Sequence, residues 1–342
     1  MKRKILLFIL ILFVVTGCNK KNNSNELNVL NWSSYIPDSV IHSFEDETGI
    51  NVNYGTYSSN EECLAKVQSS KEGTYDLIFP SDYMVSLLIS KNMIDKLDKT
   101  KISNINNVKD NYMNLEYDPN NEYSIPFLAA TTTIAYNSKN IKDNITSYND
   151  LLDSKYHNNI VILDDQRIVI GMALQALGYD MNETDSNKLE DAKEWLLKLK
   201  KNVKAFDSDS PKTFLISNEV DIGIMWNAEA AIAMDENPDI KVVYPKEGFN
   251  ISIDNYVILK GARNVNNAYK FIDYILRPDV MKEIIESYPY NNVNKETEYL
   301  LDDSYLNNIA ANTPESELER AKFVKNIGTF ILEYDKLWAE IK

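Results

Sequence analysis

The sequence has little cysteine, histidine or glycine, and each shortage narrows the range of functions. Two cysteines in 342 residues cannot build a framework of disulfide bonds. The ten glycines include no pair at the spacing of a phosphate-binding loop or a GxGxxG turn, which argues against nucleotide binding by either motif. The two histidines, His42 and His157, stand in polar segments and outside metal-binding spacings such as HExxH. The sequence therefore predicts neither a metal site nor a cofactor.

Positive charge is also scarce. Lys and Arg number 36 against 51 Asp and Glu, so the net charge is −15. This balance disfavours nucleic-acid binding, which needs clustered basic residues, and it is compatible with a cationic ligand. Hydrophobic residues at 44% and charged residues at 25% are ordinary for a soluble globular protein. The length predicts about two domains.

A long apolar run occurs only at the amino terminus. Basic residues at positions 2–4 precede the apolar run 5–15, which at about 11 residues is short for a bilayer span of about 20. The run leads into Val-Thr-Gly-Cys ending at Cys18, the pattern of a lipoprotein signal. We expect residues 1–17 to be removed, Cys18 to carry the lipid and 18–26 to be a flexible tether. An uncleaved anchor is the alternative, and either places the body outside the cytoplasmic membrane.

Strand and helix patterns alternate along the rest of the chain. Strands are predicted at 27–32, 50–54, 77–79, 160–163, 220–226, 241–244 and 251–259. Helices are predicted at 37–48, 60–70, 81–91, 169–177, 187–201, 228–234, 265–276, 278–288 and 315–341. This order predicts an α/β fold with a parallel sheet and right-handed crossovers, arranged as two lobes joined by short crossings.

Aromatic and acidic residues recur where the predicted strands end, which is where open α/β sheets bind ligands. They fall in the segments 31–37, 80–83, 164–167 and 226–229. Aromatic faces attract ammonium groups and pack on methylenes, and carboxylates accept charged hydrogen bonds. Asp254 adds a carboxylate inside a predicted strand, where Asp is depleted. The pattern suits a flexible alkyl chain with amines at its ends.

Each of these features also has an ordinary structural explanation. Trp32 and Trp226 fit core or rim positions, Asp165 fits a helix cap, and Asp254 could face solvent. A hydrolase using a carboxylate pair stays open, because Asp164 or Asp165 and Glu229 could meet, although no G-x-S-x-G turn occurs. A surface adhesin or structural lipoprotein is a further alternative. We expect no enzyme and no catalytic residues.

At these motifs the chain resembles the extracytoplasmic spermidine/putrescine-binding proteins of ABC transporters. The matching segments are 31–37 (NWSSYIP), 59–61, 75–83 (YDLIFPSDY), 123–126, 163–165, 173–179, 222–227 (IGIMWN), 245–248 and 276–280. The resemblance implies a two-lobed, periplasmic-binding-protein-like (type II) fold with a central cleft and a hinge. It implies one lobe from 27–133 plus 253–298 and a second from 134–252 plus 299–342.

The resemblance also implies roles for individual ligand-binding residues. Trp32 and Tyr35 match residues that pack on ligand methylenes. Hydroxyl or backbone contacts match Ser33 and Ser81, and further aromatic contacts match Tyr83, Trp226 and Tyr290. Asp165 and Asp254 match carboxylates that pair with amines from opposite sides. Glu229 matches an acid of the putrescine-selective branch.

Three positions depart from the spermidine-type pattern: Ile168 replaces a Glu, Ser252 a Trp, and Val324 a polar Gln. An unpaired ammonium buried in a closed cleft costs several kcal/mol, so the loss of an acid at Ile168 should penalise a triamine. We therefore expect putrescine or a similar short diamine in preference to spermidine. The alternative is that Ser252 widens the cleft for a different cation.

The resemblance implies that this is the polyamine-binding component of an ABC importer. Its partners would be a polyamine, a membrane permease with a separate ATPase, and the membrane through Cys18, with no nucleic acid. The same fold binding another cationic solute, or acting as a sensor, is the alternative.

Overall fold

The computed structural model describes residues 25–342. The expected signal peptide, Cys18 and nearly all of the expected tether therefore lie outside the described residues. None of the helices between residues 25 and 342 has both the length and the apolar character that a membrane span requires.

The first half of the molecule is a β-α-β-α-β-α unit. It comprises β1 (Glu26–Trp32), α1 (Asp38–Thr48), β2 (Asn51–Tyr57), α2 (Asn60–Ser69), β3 (Leu77–Ile78) and α3 (Asp82–Ser90). The strands lie side by side in the order β2-β1-β3, all parallel, as predicted. Helix α1 ends where Gly49 takes a φ of 68° and its N–H donates to the carbonyl of Glu45 at 2.8 Å.

The second half also alternates strands and helices. It comprises β5 (Ile160–Ile162), α4 (Gln166–Ala176), α5 (Ser186–Leu199), β6 (Val203–Phe206), α6 (Lys212–Ile216), β7 (Ile222–Trp226), α7 (Asn227–Glu236) and β8 (Ile240–Val243). Strand β5 is parallel to both β6 and β7. The predicted elements are present within a few residues, and β6 and α6 are additions to them.

Two long strands, β4 (Ile125–Asn137) and β9 (Phe249–Ile258), cross from one half to the other. They are antiparallel to each other, and β9 is antiparallel to β3. Strand β4 changes partner between Thr131, which faces Ile251 of β9, and Thr132, which faces Trp226 of β7. The sheet order is β2-β1-β3-β9-β4-β7-β5-β6, with β8 on β4 and β10 (Ala321–Phe323) on β9, so the complete sheet is mixed rather than parallel.

The carboxyl-terminal part covers both halves with helices. These are α8 (Val265–Ile275), α9 (Pro278–Ser287), α10 (Asp303–Asn307), α11 (Glu315–Leu318) and α12 (Ile331–Ile341). The prediction of one helix over 315–341 is wrong. The chain leaves α11, adds β10 beside β9, and turns at Gly328, with a φ of 60°, before α12. The backbone groups of β10 form their hydrogen bonds with β9, whereas in the predicted helix they would have bonded to residues of the same segment.

Two large hydrophobic cores each include residues of both halves, and a smaller cluster lies between β4 and β9. Phe44, Phe79 and Tyr256 belong to the core beside β1 and β9, and Leu174 and Trp195 belong to the core around α4 and α5. Trp32 and Trp226 pack against both cores from their edges. The two tryptophans therefore stand where the two large cores meet.

Candidate ligand-binding site

A narrow cavity of about 40 Å³ lies at the junction of the two halves. Eight of the ten ligand-binding residues expected from the sequence line it. They are Trp32, Tyr35, Ser81, Tyr83, Asp165, Trp226, Asp254 and Tyr290. The fold thus brings together side chains that are up to 258 positions apart in the chain, counted from Trp32 to Tyr290.

The other two expected residues lie outside the cavity lining. The Ser33 hydroxyl donates to the carbonyl of Tyr57 at 3.2 Å, and the Ser33 amide donates to the same oxygen at 3.0 Å. Both carboxylate oxygens of the buried Glu229 accept from the Lys212 ammonium, at 2.7 and 2.8 Å. A cation of the protein itself therefore already neutralises Glu229.

Asp254 is the most enclosed carboxylate of the cavity, with 3% of its surface exposed. Strand β9 places it opposite Leu128 of β4, and its two oxygens accept from the Tyr35 and Ser81 hydroxyls, the latter at 2.7 Å. Burial raises the pKa of Asp254 to about 6, although the bonds from Tyr35 and Ser81 favour the charged form. The explanation that Asp254 faces solvent does not hold.

Asn60, which the sequence analysis missed, holds Ser81 in place beneath Asp254. Its amide nitrogen donates to the Ser81 hydroxyl at 3.1 Å, and its carbonyl oxygen accepts from the Ser81 amide at 3.1 Å. Asn60 also lines the cavity. As the first residue of α2, directly after the Ser59 cap, it could have been found by asking which polar residues begin helices at this sheet edge.

Asp165 approaches from the second half and has two roles at once. It caps α4, where one side-chain oxygen accepts from the backbone amides of Arg167 at 2.9 Å and Ile168 at 3.0 Å. It also lines the cavity. Burial, followed by the negative charge of Glu61, raises the pKa of Asp165 above its usual range. The capping explanation and the binding explanation are therefore both compatible with its position.

Aromatic rings form the wall next to Asp254. The Trp32 and Tyr35 ring centroids are 6.4 Å apart, and those of Tyr35 and Tyr290 are 4.7 Å apart. The Trp32 indole donates to the carbonyl of Phe79 at 2.8 Å, which orients its ring. Trp226 is half-buried at the start of α7. These faces can cover methylenes and attract ammonium groups.

The three positions that depart from the spermidine-type pattern are buried. Ile168 and Ser252 line this cavity. Val324 lines a neighbouring cavity with Asp82, Tyr83 and Tyr117 instead. The acid and the large aromatic that the pattern would place at 168 and 252 are therefore absent from the cavity wall itself.

Arg167 also lines the cavity and was missed by the sequence analysis. It is 2% exposed, and its guanidinium lies over the Tyr83 ring at 5.6 Å and the Tyr334 ring at 5.1 Å. Its position two residues after the Asp165 cap was the available signal. Within residues 25–342, no group of three or more His, Cys, Asp or Glu side chains is placed to hold a metal ion.

Two halves joined by crossing strands, with an aromatic and acidic cavity at the junction, define a two-lobed solute-binding protein of type II architecture. The chain matches the model of the bacterial extracellular solute-binding proteins over residues 39–312 and belongs to that family.

Named relatives support this membership over nearly the whole chain. The chain is 37% identical to the spermidine/putrescine-binding periplasmic protein of Salmonella typhimurium, covering 94% of this chain and 92% of the relative. An ABC transporter protein of Listeria monocytogenes has a TM-score of 0.89 at 34% identity, with 93% of this chain and 98% of that chain covered. The substrate-binding protein PotD of Streptococcus pneumoniae has a TM-score of 0.78 at 31% identity, with the same coverage.

A second family model matches the amino terminus. Residues 1–19 match a prokaryotic membrane lipoprotein lipid attachment site, which includes Cys18. The protein is therefore extracytoplasmic and lipid-anchored to a membrane, as predicted.

Proposed function

We propose that the protein captures a polyamine, with putrescine or a similar short diamine preferred, and delivers it to a membrane permease driven by a separate ATPase. One observation carries the proposal: Asp254 and Asp165 enter a single cavity from the two halves, with aromatic rings beside them. A diamine has two ammonium groups separated by methylenes, which matches carboxylates separated by ring faces. The relatives named above for spermidine and putrescine support the same ligand class.

The eight expected residues that line the cavity then have roles in binding. Asp254 and Asp165 pair with the ammonium groups, Trp32 and Trp226 cover the methylenes, and Tyr35 orients Asp254. Ser81, Tyr83 and Tyr290 complete the wall. Ser33 and Glu229 stay predictions, and Glu229 would have to exchange Lys212 for a ligand amine to take part.

Binding would be coupled to closure of the two lobes. We assign 27–133 plus 253–298 to one lobe and 134–252 plus 299–342 to the other. The change of partner along β4, between Thr131 and Thr132, supports a boundary close to this point. A ligand that bridges Asp254 and Asp165 gains both contacts only in the closed form, so it shifts the hinge equilibrium toward closure.

The permease would then recognise the closed form. The lipid on Cys18 would keep the binding protein close to the permease and raise its effective concentration. We infer that no catalysis is involved, in keeping with a family of solute-binding proteins. Both histidines, the most common acid–base catalysts, are exposed, and neither lines the cavity.

Calorimetric titration of the soluble domain (from residue 25) with putrescine, cadaverine, spermidine and spermine tests this function. We expect saturable binding with putrescine or cadaverine tightest. Spermidine binding about tenfold tighter than putrescine, a difference of about 1.4 kcal/mol, would contradict the diamine preference. Absence of binding to all four would overturn the polyamine assignment and favour another cationic solute.

A further inference from the structure

Three segments of the chain cross between the two halves, and they meet at Thr131. The first is β4, which pairs with β9 up to Thr131 and with β7 from Thr132 onward. The second is β9, whose Ile251 is the partner of Thr131. The third is the segment 291–313, whose Thr313 hydroxyl lies 3.0 Å from the Thr131 hydroxyl. A rotation of one half against the other must be absorbed at this point, because hinges are the few residues where crossing segments change partners.

Asn227 takes the place of a strand partner here. Its side-chain oxygen accepts from the backbone amide of Thr131 at 3.0 Å, and its side-chain nitrogen donates to the Ala310 carbonyl at 3.0 Å. Asn227, Thr131 and Ala310 all have no exposed surface. Both polar groups of the Asn227 amide are thus satisfied in a buried site, where an unpaired N–H or C=O is costly.

The two bonds of Asn227 differ in what they connect. Ala310 belongs to the same lobe as Asn227 in the assignment above, so this bond fixes the orientation of the amide. Thr131 belongs to the other lobe, so the second bond spans the hinge. The lobes are in contact in this structure, since Arg167 of one lobe lies over the Tyr83 ring of the other at 5.6 Å. The Thr131–Asn227 bond therefore accompanies the closed arrangement, and rotation of the lobes would strain it.

The hinge cluster also adjoins the cavity along the chain. Ala130 and Trp226 line the cavity and directly precede Thr131 and Asn227. Asn227 is the first residue of α7, and it does not line the cavity itself. A bond between Thr131 and Asn227 thus sets the distance between cavity residues of the two lobes without touching a ligand.

We propose, on the basis of the polyamine-binding function above, that Asn227 is a positioning residue that acts through Trp226 and the crossing at Thr131 and favours the closed arrangement of the lobes. A bound ligand leaves only when the lobes reopen, and reopening has to break the Thr131–Asn227 bond. Thr313 supplies a parallel bond across the hinge, because its hydroxyl contacts that of Thr131 and is held at 2.9 Å by the Tyr244 hydroxyl.

Stopped-flow fluorescence on the domain used for calorimetry tests the proposal, with Trp32 and Trp226 of the cavity wall as probes. In N227A we expect putrescine and cadaverine to be released about tenfold faster, with association within about twofold of the wild type. Release as slow as in the wild type, or a loss of affinity that comes only from slower association, would overturn the proposal.

Asn202 provides the matched control. It is also a buried asparagine, and its side chain donates to the carbonyls of Leu151 at 2.8 Å and Asp153 at 2.9 Å, within one lobe. N202A should lower the melting temperature without ligand but leave release within about twofold of the wild type. Release that quickened as much in N202A as in N227A would show general loosening of the fold and overturn the hinge role.

T313V covers the case in which N227A does not fold, as judged by its melting without ligand. Val keeps the shape of Thr and removes the hydroxyl that contacts Thr131 and Tyr244. We expect release of both diamines to be about threefold faster in T313V. Release at the wild-type rate in T313V would then overturn the proposal. A wild type that binds neither diamine would overturn the proposed function itself, so the two failures are distinguishable.

Discussion

The two carboxylates of the cavity are held in opposite ways. Asp254 lies in the middle of a buried strand, and its oxygens are held by the hydroxyls of Tyr35 and Ser81, which are distant in the chain. Asp165 lies at the start of a helix and is held by backbone amides two and three residues ahead. The first carboxylate depends on tertiary packing and the second on local backbone geometry. Burial disfavours the charge of both carboxylates in the free protein, but at Asp165 the bonds from the backbone amides also stabilise the start of helix α4.

Removing the charge of Asp254 is expected to have the largest effect. In Asp254→Asn, diamine affinity should fall by about 10- to 100-fold, because a charge-assisted bond is worth roughly 1.5–3 kcal/mol. The melting temperature without ligand should stay level or rise at neutral pH, because burial already disfavours the charged form. Calorimetry and thermal melting of the same preparations measure the two effects.

The exposed carboxylate Asp46 provides the matched control. Asp46→Asn should leave both affinity and melting unchanged. If Asp254→Asn bound the diamine like the wild type, Asp254 would not belong to the site.

Two substitutions at Asp165 separate its two roles. Asn is also a good helix cap, so Asp165→Asn should lose about tenfold in affinity with little change in stability. Asp165→Ala should lose similar affinity and also about 1 kcal/mol of stability, because the cap is lost. Denaturant unfolding without ligand, combined with calorimetry, measures both. Equal stability of the Asn and Ala variants would show that the cap contributes nothing, and the contrast with Asp254 would disappear.

The same contrast explains which features the sequence predicts. Local signals indicated the end of α1 at Gly49, the cap of α4 at Asp165 and the parallel order of β1, β2 and β3, although the start of α4 was predicted at 169 and lies at Gln166. Each depends on residues within a few positions, or on the rule that β-α-β units form parallel sheets. The cavity residues were then named through family resemblance, because strand ends alone leave many aromatic and acidic residues to choose from.

Features that depend on distant partners were missed. Strand β4 is buried on both faces, so it lacks the alternation that marks a strand, and β10 exists only because β9 lies beside it. The pairing of Glu229 with Lys212 and the placement of Arg167 between two tyrosine rings arise from tertiary packing. A single sequence contains no local pattern for such pairs.

Lowering the pH is the smallest perturbation and acts on affinity and stability in opposite directions. The pKa of Asp254 is raised to about 6 in the free protein, and a diamine stays fully protonated near neutrality. Between pH 7 and pH 5.5 the ionised fraction of one such group falls about fourfold, so diamine affinity should fall about fourfold. Over the same interval the free protein should become more stable, because an acid whose folded pKa is raised destabilises the fold above that pKa and is relieved as the pH falls through it.

Calorimetry at several pH values measures how diamine affinity depends on pH, and thermal melting at the same pH values measures how the stability of the free protein depends on pH. In Asp254→Asn, the dependence of diamine affinity on pH should largely disappear. The remaining dependence should come from Asp165, whose pKa is also raised. The raised pKa of Asp82 should still favour stability at lower pH in that variant. An affinity for putrescine that rose as the pH fell from 7 to 5.5 would contradict pairing of an ammonium with an ionised Asp254, because protonation would then help binding rather than compete with it.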